Sequence, residues 1–306
     1  MDYDKHFILY VVILQWLVIF TFILWLGWKP SKIRAVNTYQ HRFSDEDWKY
    51  AQKLSKLIDQ QTIFYQFHFL PFYSSKNNLL KGGTVKLVNI QIDDKELTEN
   101  ELYEWIDKLE KRHIFDVTYI EWLFSYIDNF PKDIKENMIL SFNIDLSGVQ
   151  YEGIIKDIAE LSSNILLPCR NIEIMSNLGK GDIESVNKKL KLMQSFGVKV
   201  NWNLFGQNIA SLNMVLDFDY QSVTLSSELV EGIDQKITFK NFLKVLVELF
   251  KDKNILIRLP AIEDRRIVNQ LIYLGIDECY YTQLTPGMTG EEYIAFCKKH
   301  QMLRDH

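Results

Sequence analysis

The sequence has little of what marks most metal, redox and nucleotide sites. Its three cysteines, Cys169, Cys279 and Cys297, show no C-x-x-C spacing, so neither a disulfide nor a zinc site is expected. The six histidines are scattered, which leaves no zinc or Ser-His-Asp constellation. No G-x-G-x-x-G turn marks a dinucleotide site. Gly82-Gly83 reads as a loop between strands rather than a phosphate cradle, because no Lys-Ser/Thr pair follows it.

Basic clusters and linkers are also missing. The formal net charge is −5, and no run of Lys and Arg is interleaved with aromatic residues, so a nucleic-acid polymer is not an expected partner. The chain has only six prolines and no low-complexity stretch. About 270 residues follow the first apolar run, and these suit one large single-core domain.

That apolar run, Phe7 to Trp28, carries no charged residue. At about 1.5 Å per residue it is long enough for the roughly 30 Å hydrocarbon core of a bilayer. Asp2 and Asp4 precede it, and no A-x-A-like cleavage site follows, which argues against a removed signal peptide. We therefore predict a single transmembrane helix over residues 7–28.

The flanking charges predict its orientation. Lys29, Lys32 and Arg34 follow the span, whereas Lys5 and two aspartates precede it, and positive charge favours the cytoplasmic side. The predicted location is the cell membrane, with the C-terminal domain in the cytoplasm. Residues 29–61 are predicted to form a juxtamembrane segment. It includes a short amphipathic helix from Ser44 to Ile58, which is either a stalk, a dimer contact or a helix packed on the domain.

From residue 62 to residue 302, short apolar runs alternate with segments of helical period. Eight runs in about 240 residues predict an α/β fold, a (β/α)8 TIM-like barrel whose strands are buried on both faces. An open doubly wound sheet is the alternative. The predicted strands are TIFYQFHF, TVKLVNIQI, NMILSFNI, NIEIM, VKVNWNL, SVTLS, NILIRL and ECYYTQL; the predicted helices are Glu99 to His113, Tyr151 to Leu161, Ile183 to Phe196, Phe239 to Phe250 and Asp264 to Leu274.

Chemistry in such barrels lies at the carboxyl ends of the strands. The segments at the predicted strand ends resemble those of the EAL domain, a bacterial barrel that hydrolyses the second messenger cyclic di-GMP. Five segments carry the resemblance in the family's order: Ile144-Asp-Leu-Ser-Gly-Val-Gln150 for V-N-L-S-A-R-Q, Ile172-Glu-Ile-Met-Ser-Asn177 for L-E-L-T-E-S, Phe196 to Gly206 for L-G-V-x-I-A-L-D-D-F-G, Val223 to Val230 for I-K-I-D-R-S-F-V, and Pro260-Ala-Ile-Glu263 for E-G-V-E.

The resemblance also implies which catalytic groups are missing. The family holds divalent metals on carboxylates and one Asn, and these metals activate the attacking water. The signature Glu has no counterpart, because no Glu lies between Ser75 and Lys95. The other replacements are Asp145 for the Asn, Asn203 and Leu204 for the paired aspartates, Thr224 for the Lys, Ser226 for its partner Asp, Pro260 for a Glu and Tyr280 for a Gln, whereas Glu173 is kept.

We therefore expect a pseudo-enzyme with no catalytic residue. A weak Mg²⁺ or Ca²⁺ site on Asp145, Glu173 and Asn203 is one option, but polar residues hydrogen-bonded at the barrel mouth are favoured, so no cofactor is predicted. Glu263 is read as structural. Arg258, Arg265 and Arg266 are candidates to meet a phosphate, but Asp264-Arg-Arg266 is more simply the solvated first turn of a helix. The candidate ligand-binding residues at the mouth are Asp145, Glu173, Asn203, Thr224, Glu263 and Tyr280.

The expected function is therefore binding, either of a protein partner or of cyclic di-GMP. An active cyclic di-GMP phosphodiesterase is the alternative. Replacement of the family's Gln by Leu70, before Pro71, gives the protein partner slightly more weight. A homodimer stays open, since the family often dimerises after the segment matched by Asn203 to Gly206, but Gln207 to Leu212 departs from the usual glycine pattern.

Overall fold

The structure, a computed structural model, describes residues 44–92, 95–146, 171–177, 183–207, 218–231, 233, 237–280 and 287–302. The chain divides into two compact units, Met1–Leu54 and Ser55–His306. The predicted span from Phe7 to Trp28 lies outside the described residues, as does the predicted helix from Tyr151 to Leu161. Within the described ranges, no helix is both long enough and apolar enough to cross a bilayer.

Helix α1 is formed by Asp45–Asp59. The Ser44 hydroxyl accepts a hydrogen bond from the backbone N–H of Asp47 at 3.2 Å, which caps its first turn. The elements that follow are β1 Phe64–Ser74, β2 Leu80–Ile92, β3 Lys95–Leu97, α2 Glu99–Lys108, α3 Arg112–Asp128, α4 Lys132–Asn137, β4 Ile139–Asn143, β5 Asn171–Ser176, α5 Ile183–Ser195, β6 Lys199–Phe205, β7 Ser222–Leu225, α6 Ser227–Glu231, α7 Ile237–Asp252, β8 Leu256–Arg258, α8 Arg265–Leu274, β9 Glu278–Tyr280 and α9 Gly290–Met302.

The strands of the second unit close into a barrel. The sheet order is β1-β9-β8-β7-β6-β5-β4-β2-β3, and β1 also pairs with β2, so eight strands form the ring and β3 extends it beside β2. Each of the eight predicted apolar runs overlaps one of the ring strands. The α/β barrel class is thereby confirmed.

The first strand departs from the predicted (β/α)8 pattern. β1 is antiparallel to both β2 and β9, whereas all ring pairs that do not include β1 are parallel. The connection between Ser74 and Leu80 is too short for the crossover helix that parallel strands require. Leu70 and Pro71 follow the predicted run TIFYQFHF in the sequence, where a strand end is expected, but both residues lie within β1.

Two glycines also lie elsewhere than predicted. Gly82 and Gly83 are part of β2, not of a loop. A Cβ on Gly82 would lie 2.1 Å from the Ile139 carbonyl oxygen, and one on Gly83 would lie 2.8 Å from the Tyr293 ring. Close approach of β4 and α9 to this strand therefore requires glycine at both positions.

The segment predicted as one helix from Glu99 to His113 contains all of α2 and the first two residues of α3. Thr98 and Glu101 make a capping box at the start of α2, and Glu110 has φ of 55° between α2 and α3. Helix α3 was missed because it is apolar on several sides and so shows no clear helical period. Its buried residues include Phe115, Tyr119, Leu123 and Phe124.

Candidate functional site

The carboxyl ends of the parallel strands open into a cleft of about 480 Å³ at one end of the barrel. Its lining comes from the ends of β4, β5 and β6 and from the helices α2 and α3. The residues that line it are Asn100, Tyr103, Glu104, Asp107, Arg112, Asn143, Ile144, Asp145, Met175, Ser176, Asn177, Asn203, Leu204 and Gln207. We call this cleft the mouth.

Amide side chains make up much of the mouth. The Asn203 amide nitrogen donates to the Asn143 side-chain oxygen at 3.1 Å, which joins the ends of β6 and β4. Next to it, Leu204 is 41% exposed and has φ of 55°, within an irregular stretch of the β6–β7 pairing. A leucine rarely adopts this left-handed conformation, because its Cβ approaches the backbone. The mouth therefore presents a strained apolar residue beside an amide pair.

Charge in the mouth is mostly negative. Of the residues that the structure describes, Glu104, Asp107 and Asp145 line it together with one cation, Arg112. The Arg112 side chain donates to both Asp116 oxygens, at 2.9 and 3.2 Å, and its guanidinium stacks 3.8 Å from the centre of the Tyr103 ring. This cation is already engaged by the protein, so the mouth favours cationic or neutral groups over anions.

Asp116 lies behind this surface and is fully buried. Burial raises the pKa of Asp116 to about 6, although the Arg112 guanidinium and a hydrogen bond from the Asp145 backbone N–H oppose the rise. The contact ties α3 to the residue that follows β4. The position of Asp145 at the mouth therefore depends on the ionic pair beneath it.

Inside the barrel, below the mouth, lies a separate polar network. Its centre is Glu173, which is 2% exposed. One Glu173 oxygen accepts from the Ser141 hydroxyl at 2.6 Å and from Arg258 at 2.6 Å, and the other accepts from the Ser222 hydroxyl at 2.9 Å and from Arg258 at 3.3 Å. A carboxylate has about four lone-pair sites, and these four bonds occupy them.

Arg258 links Glu173 to a second buried acid. It donates from Nε to Glu278 at 2.9 Å and from a terminal nitrogen to the same oxygen at 2.7 Å, and its guanidinium lies 3.7 Å from the centre of the Phe72 ring. Burial opposes its charge, but the two carboxylates raise the pKa of Arg258. Burial would likewise raise the pKa of Glu173, yet Arg258, Ser141 and Ser222 together lower it. Both groups are held in their charged forms.

Neutral side chains extend the network along the neighbouring strands. The Asn201 amide donates to the Ser222 hydroxyl at 2.8 Å, and the Thr224 hydroxyl donates to the Asn201 oxygen at 3.0 Å. The hydroxyls of Thr84 and Tyr280 share a hydrogen bond of 2.9 Å. Serine, threonine and asparagine at these positions therefore satisfy polar groups in the barrel interior.

The six predicted site residues do not form one cluster. Asp145 and Asn203 line the mouth. Glu173, Thr224 and Tyr280 lie in the interior, each at most 5% exposed. Glu263 is exposed in the segment between β8 and α8. The predicted mouth thus divides into an open surface and a closed interior.

Divalent metals of the kind the resemblance implies do not fit these residues. Metals such as Mg²⁺ need several hard oxygen ligands that are free to coordinate. The Glu173 oxygens are occupied, and at the mouth the Asn203 amide nitrogen points to the Asn143 oxygen. Among the residues that the structure describes, no three His, Cys, Asp or Glu side chains are grouped so as to hold a metal ion.

Sequence reasoning missed Arg258 as an internal residue and Glu278 altogether. The signal was a charged residue inside each of two apolar strands, NILIRL and ECYYTQL. Charged side chains in such strands are almost always paired when buried. Arg112 and Asp116 were missed because helix α3 itself was missed.

Three comparisons place these findings among known proteins. The sequence profile described as EAL domain matches residues 51–280. A search of curated protein sequences found no match.

Solved structures give the same fold at low sequence identity. An EAL domain protein from Listeria monocytogenes is 16% identical with a TM-score of 0.63, and the match covers 76% of this chain and 91% of that one. The FimX EAL domain of Xanthomonas citri, solved in complex with c-diGMP, is 12% identical with a TM-score of 0.66 and coverage of 79% and 94%. Vibrio cholerae LapD, a chain described as S helix-GGDEF-EAL and bound to c-di-GMP, is 16% identical with a TM-score of 0.64 and coverage of 78% and 56%.

Proposed function

Because the chain belongs to the EAL domain family, we propose that it acts in cyclic di-GMP signalling as a membrane-anchored protein that binds at its mouth without hydrolysing the nucleotide. The observation that carries the proposal is the state of Glu173. This is the one acid kept from the family set, and all its lone-pair sites are filled by Arg258, Ser141 and Ser222. It has no capacity left to hold a metal.

The other replaced positions point the same way. Leu204 and Pro260 offer no side-chain ligand, and Thr224 has no positive charge to place against a phosphate. Removing one transition-state stabiliser typically costs a factor of about 10²–10³ in rate. Several are missing together here, and although such losses are not additive, the turnover left should be near zero.

A protein partner suits the mouth better than a bare anion. The described part of its lining has three carboxylates and one already paired guanidinium, so a cyclic dinucleotide with two phosphates would meet net negative charge there. A protein surface with amide or basic groups would meet complementary charge. The exposed Leu204 side chain adds an apolar contact at the rim.

Cyclic di-GMP itself is the second candidate ligand. Two of the similar structures described above hold that nucleotide, and Arg112 supplies a guanidinium at the mouth. Binding would require Arg112 to exchange part of its pairing with Asp107 and Asp116 for a phosphate. We expect this binding to be weak.

The membrane anchor is part of the proposal and is supported by sequence alone. The uncharged run from Phe7 to Trp28, followed by Lys29, Lys32 and Arg34, favours a single span with the barrel in the cytoplasm. Cell fractionation of the full chain tests the anchor, and a reporter fused after His306 tests the side. Recovery in the soluble fraction would contradict the anchor.

Turnover is tested on the full chain in detergent micelles. Cyclic di-GMP is incubated with Mg²⁺ or Mn²⁺, and the linear dinucleotide is measured by chromatography. We expect no product above the protein-free control. Linear dinucleotide above that control would show turnover and overturn the proposal.

Binding is tested with the same preparation. Calorimetry with cyclic di-GMP separates the two ligands, since saturable heat would identify a nucleotide receptor. A photo-crosslinking residue at position 204 tests a protein partner in cells, with position 273 as the matched control because Tyr273 is 91% exposed on α8. We expect one protein to be crosslinked from position 204 and not from position 273. The absence of both saturable heat and a crosslink would contradict binding at the mouth.

A further inference from the structure

Three buried charged side chains inside the barrel are hydrogen-bonded to one another. Glu173, Glu278 and Arg258 are at most 4% exposed, and both acids bond to the same guanidinium. Burying carboxylates without a cation is strongly unfavourable, because water no longer stabilises their charge. Some cation must therefore accompany them, either a side chain or an ion.

Arg258 supplies this cation, and each of its N–H donors has an acceptor. A guanidinium has five N–H donors. Nε and both terminal nitrogens bond to Glu173 and Glu278, with an additional contact of 3.5 Å to the Ser141 hydroxyl. The face of the group lies on the Phe72 ring, so the cation is enclosed by acids at its edge and by an aromatic ring at its face.

We infer that Arg258 is a resident cation, which does permanently inside this barrel what a bound divalent ion would otherwise have to do, so that the folded protein is independent of divalent metals. The inference rests on the proposed function, in which the protein does not hydrolyse cyclic di-GMP, and adds that the protein does not need a divalent metal to fold. It also predicts a latent site, because removing Arg258 leaves Glu173 and Glu278 facing a space without a cation.

The test is thermal unfolding of the full chain in EDTA, in MgCl2 and in MnCl2. We expect the wild-type midpoint to be the same in all three. Arg258→Ala should lower the midpoint in EDTA by about 10 °C, as expected for a broken buried ion pair. Millimolar Mn²⁺ should then raise the midpoint of this variant by about 3 °C, since an ion that binds only the folded state stabilises it.

Arg258→Lys is the control for charge. It keeps a cation with fewer donors, so it should lose less than Arg258→Ala and should not respond to Mn²⁺. If Arg258→Ala does not fold, the wild-type series and Arg258→Lys carry the test. A third variant, with Glu173→Gln, Arg258→Met and Glu278→Gln together, should fold and ignore Mn²⁺, because it contains no unpaired charge.

Three results would overturn the inference. The first is a wild-type midpoint that rises with Mg²⁺ or Mn²⁺. The second is an Arg258→Ala protein as stable in EDTA as the wild type, and the third is an Arg258→Lys protein that loses as much as Arg258→Ala. None of these readouts measures hydrolysis, so failure here is distinct from failure of the proposed function.

Discussion

The barrel interior and the mouth are both polar, but they use their polar groups in opposite ways. In the interior, each Glu173 oxygen has two donors and Arg258 is bonded at all three nitrogens. At the mouth, Asp145 and Asn203 border a cleft of about 480 Å³. Groups whose hydrogen-bonding capacity is filled hold a structure together, whereas groups that line an open cleft lie within reach of a ligand.

The difference also bears on what a sequence match can mean. Glu173 matches a family acid and lies in the interior, whereas Asp145 and Asn203 differ from the family residues and line the mouth. The kept Glu173 is bonded to Arg258, Ser141 and Ser222 in this structure. Its partners decide what it does, and Arg258 is the partner that matters most.

The largest effect that separates the interior from the mouth is expected at Glu173. Replacing Glu173 by Ala leaves Arg258 with one acid and removes acceptors from Ser141 and Ser222, so we expect a loss of about 3–5 kcal/mol in the free energy of unfolding. Urea denaturation of the full chain measures it. Glu263→Ala, at an exposed acid, is the control and should change the value by less than about 0.5 kcal/mol; equal effects would contradict an interior network.

Two asparagines of β6 sharpen the comparison within one strand. Asn201 bonds to Ser222 and Thr224 in the interior, and Asn203 bonds to Asn143 at the mouth. We expect Asn201→Ala to cost about 2–3 kcal/mol, because it leaves two buried hydroxyls short of a partner, and Asn203→Ala about 1 kcal/mol. Urea denaturation again measures both. The crosslink from position 204 should be weakened only by Asn203→Ala. A larger loss of stability for Asn203→Ala than for Asn201→Ala would contradict the difference between the interior and the mouth.

Asp116 should show a pH dependence of its own. Because its pKa is raised to about 6 in the folded chain, above the roughly 3.9 of an unfolded Asp, the folded state holds a proton that the unfolded state releases. Stability should therefore fall as pH rises from about 4 to 6, by on the order of 2 kcal/mol. Asp116→Asn should remove this fall in urea titrations at several pH values.

Asp264 provides a control of opposite sign. Hydrogen bonds from Arg266 lower the pKa of Asp264 to about 2, so its contribution is lost as pH falls below the unfolded value and is present above it. Asp264→Asn should leave the window between pH 4 and 6 unchanged. If Asp116→Asn leaves that window unchanged as well, Asp116 does not carry the dependence.

The smallest expected effect is at Leu204. Its φ of 55° suits Asn far better than Leu, so Leu204→Asn should stabilise the chain by about 0.5–1 kcal/mol. Leu256→Asn is the control, since Leu256 is 46% exposed on a strand and is not among the described residues with positive φ. It should lose stability in the same urea assay. Loss at both positions would mean that Leu204 is not strained.

Sequence patterns predicted the strands well because each buried strand is a continuous apolar run. They did not predict the direction of β1, which depends on the short connection from Ser74 to Leu80. They also did not predict the depth of Glu173. Alternation along a strand indicates which side chains face inward, but depth depends on register, and Glu173 lies opposite Ser141 on β4 and Lys199 on β6.

The site was harder to predict because its partners are far apart in the chain. Arg258 is 85 residues from Glu173 and 117 from Ser141. No local spacing relates them, and only closure of the barrel brings them together. The mouth residues after strand ends were easier, since the carboxyl ends of parallel strands meet at one edge.

The hydrogen bonds between Arg258 and Glu278 connect β8 to β9 at a place where the two strands share little backbone pairing. These two residues are the sole register pair described between the two strands, and beyond β9 the ring is closed by β1, more than 200 positions earlier in the chain, where Phe72 faces Tyr280 and Ser74 faces Glu278. Among the described residues, β8 and β9 therefore share the fewest register pairs of any neighbouring ring strands, and the Arg258–Glu278 hydrogen bonds lie at that same place. The Arg258 guanidinium therefore joins β8 to β9 through side chains, and we expect amide hydrogen exchange along both strands to become faster when this ion pair is removed.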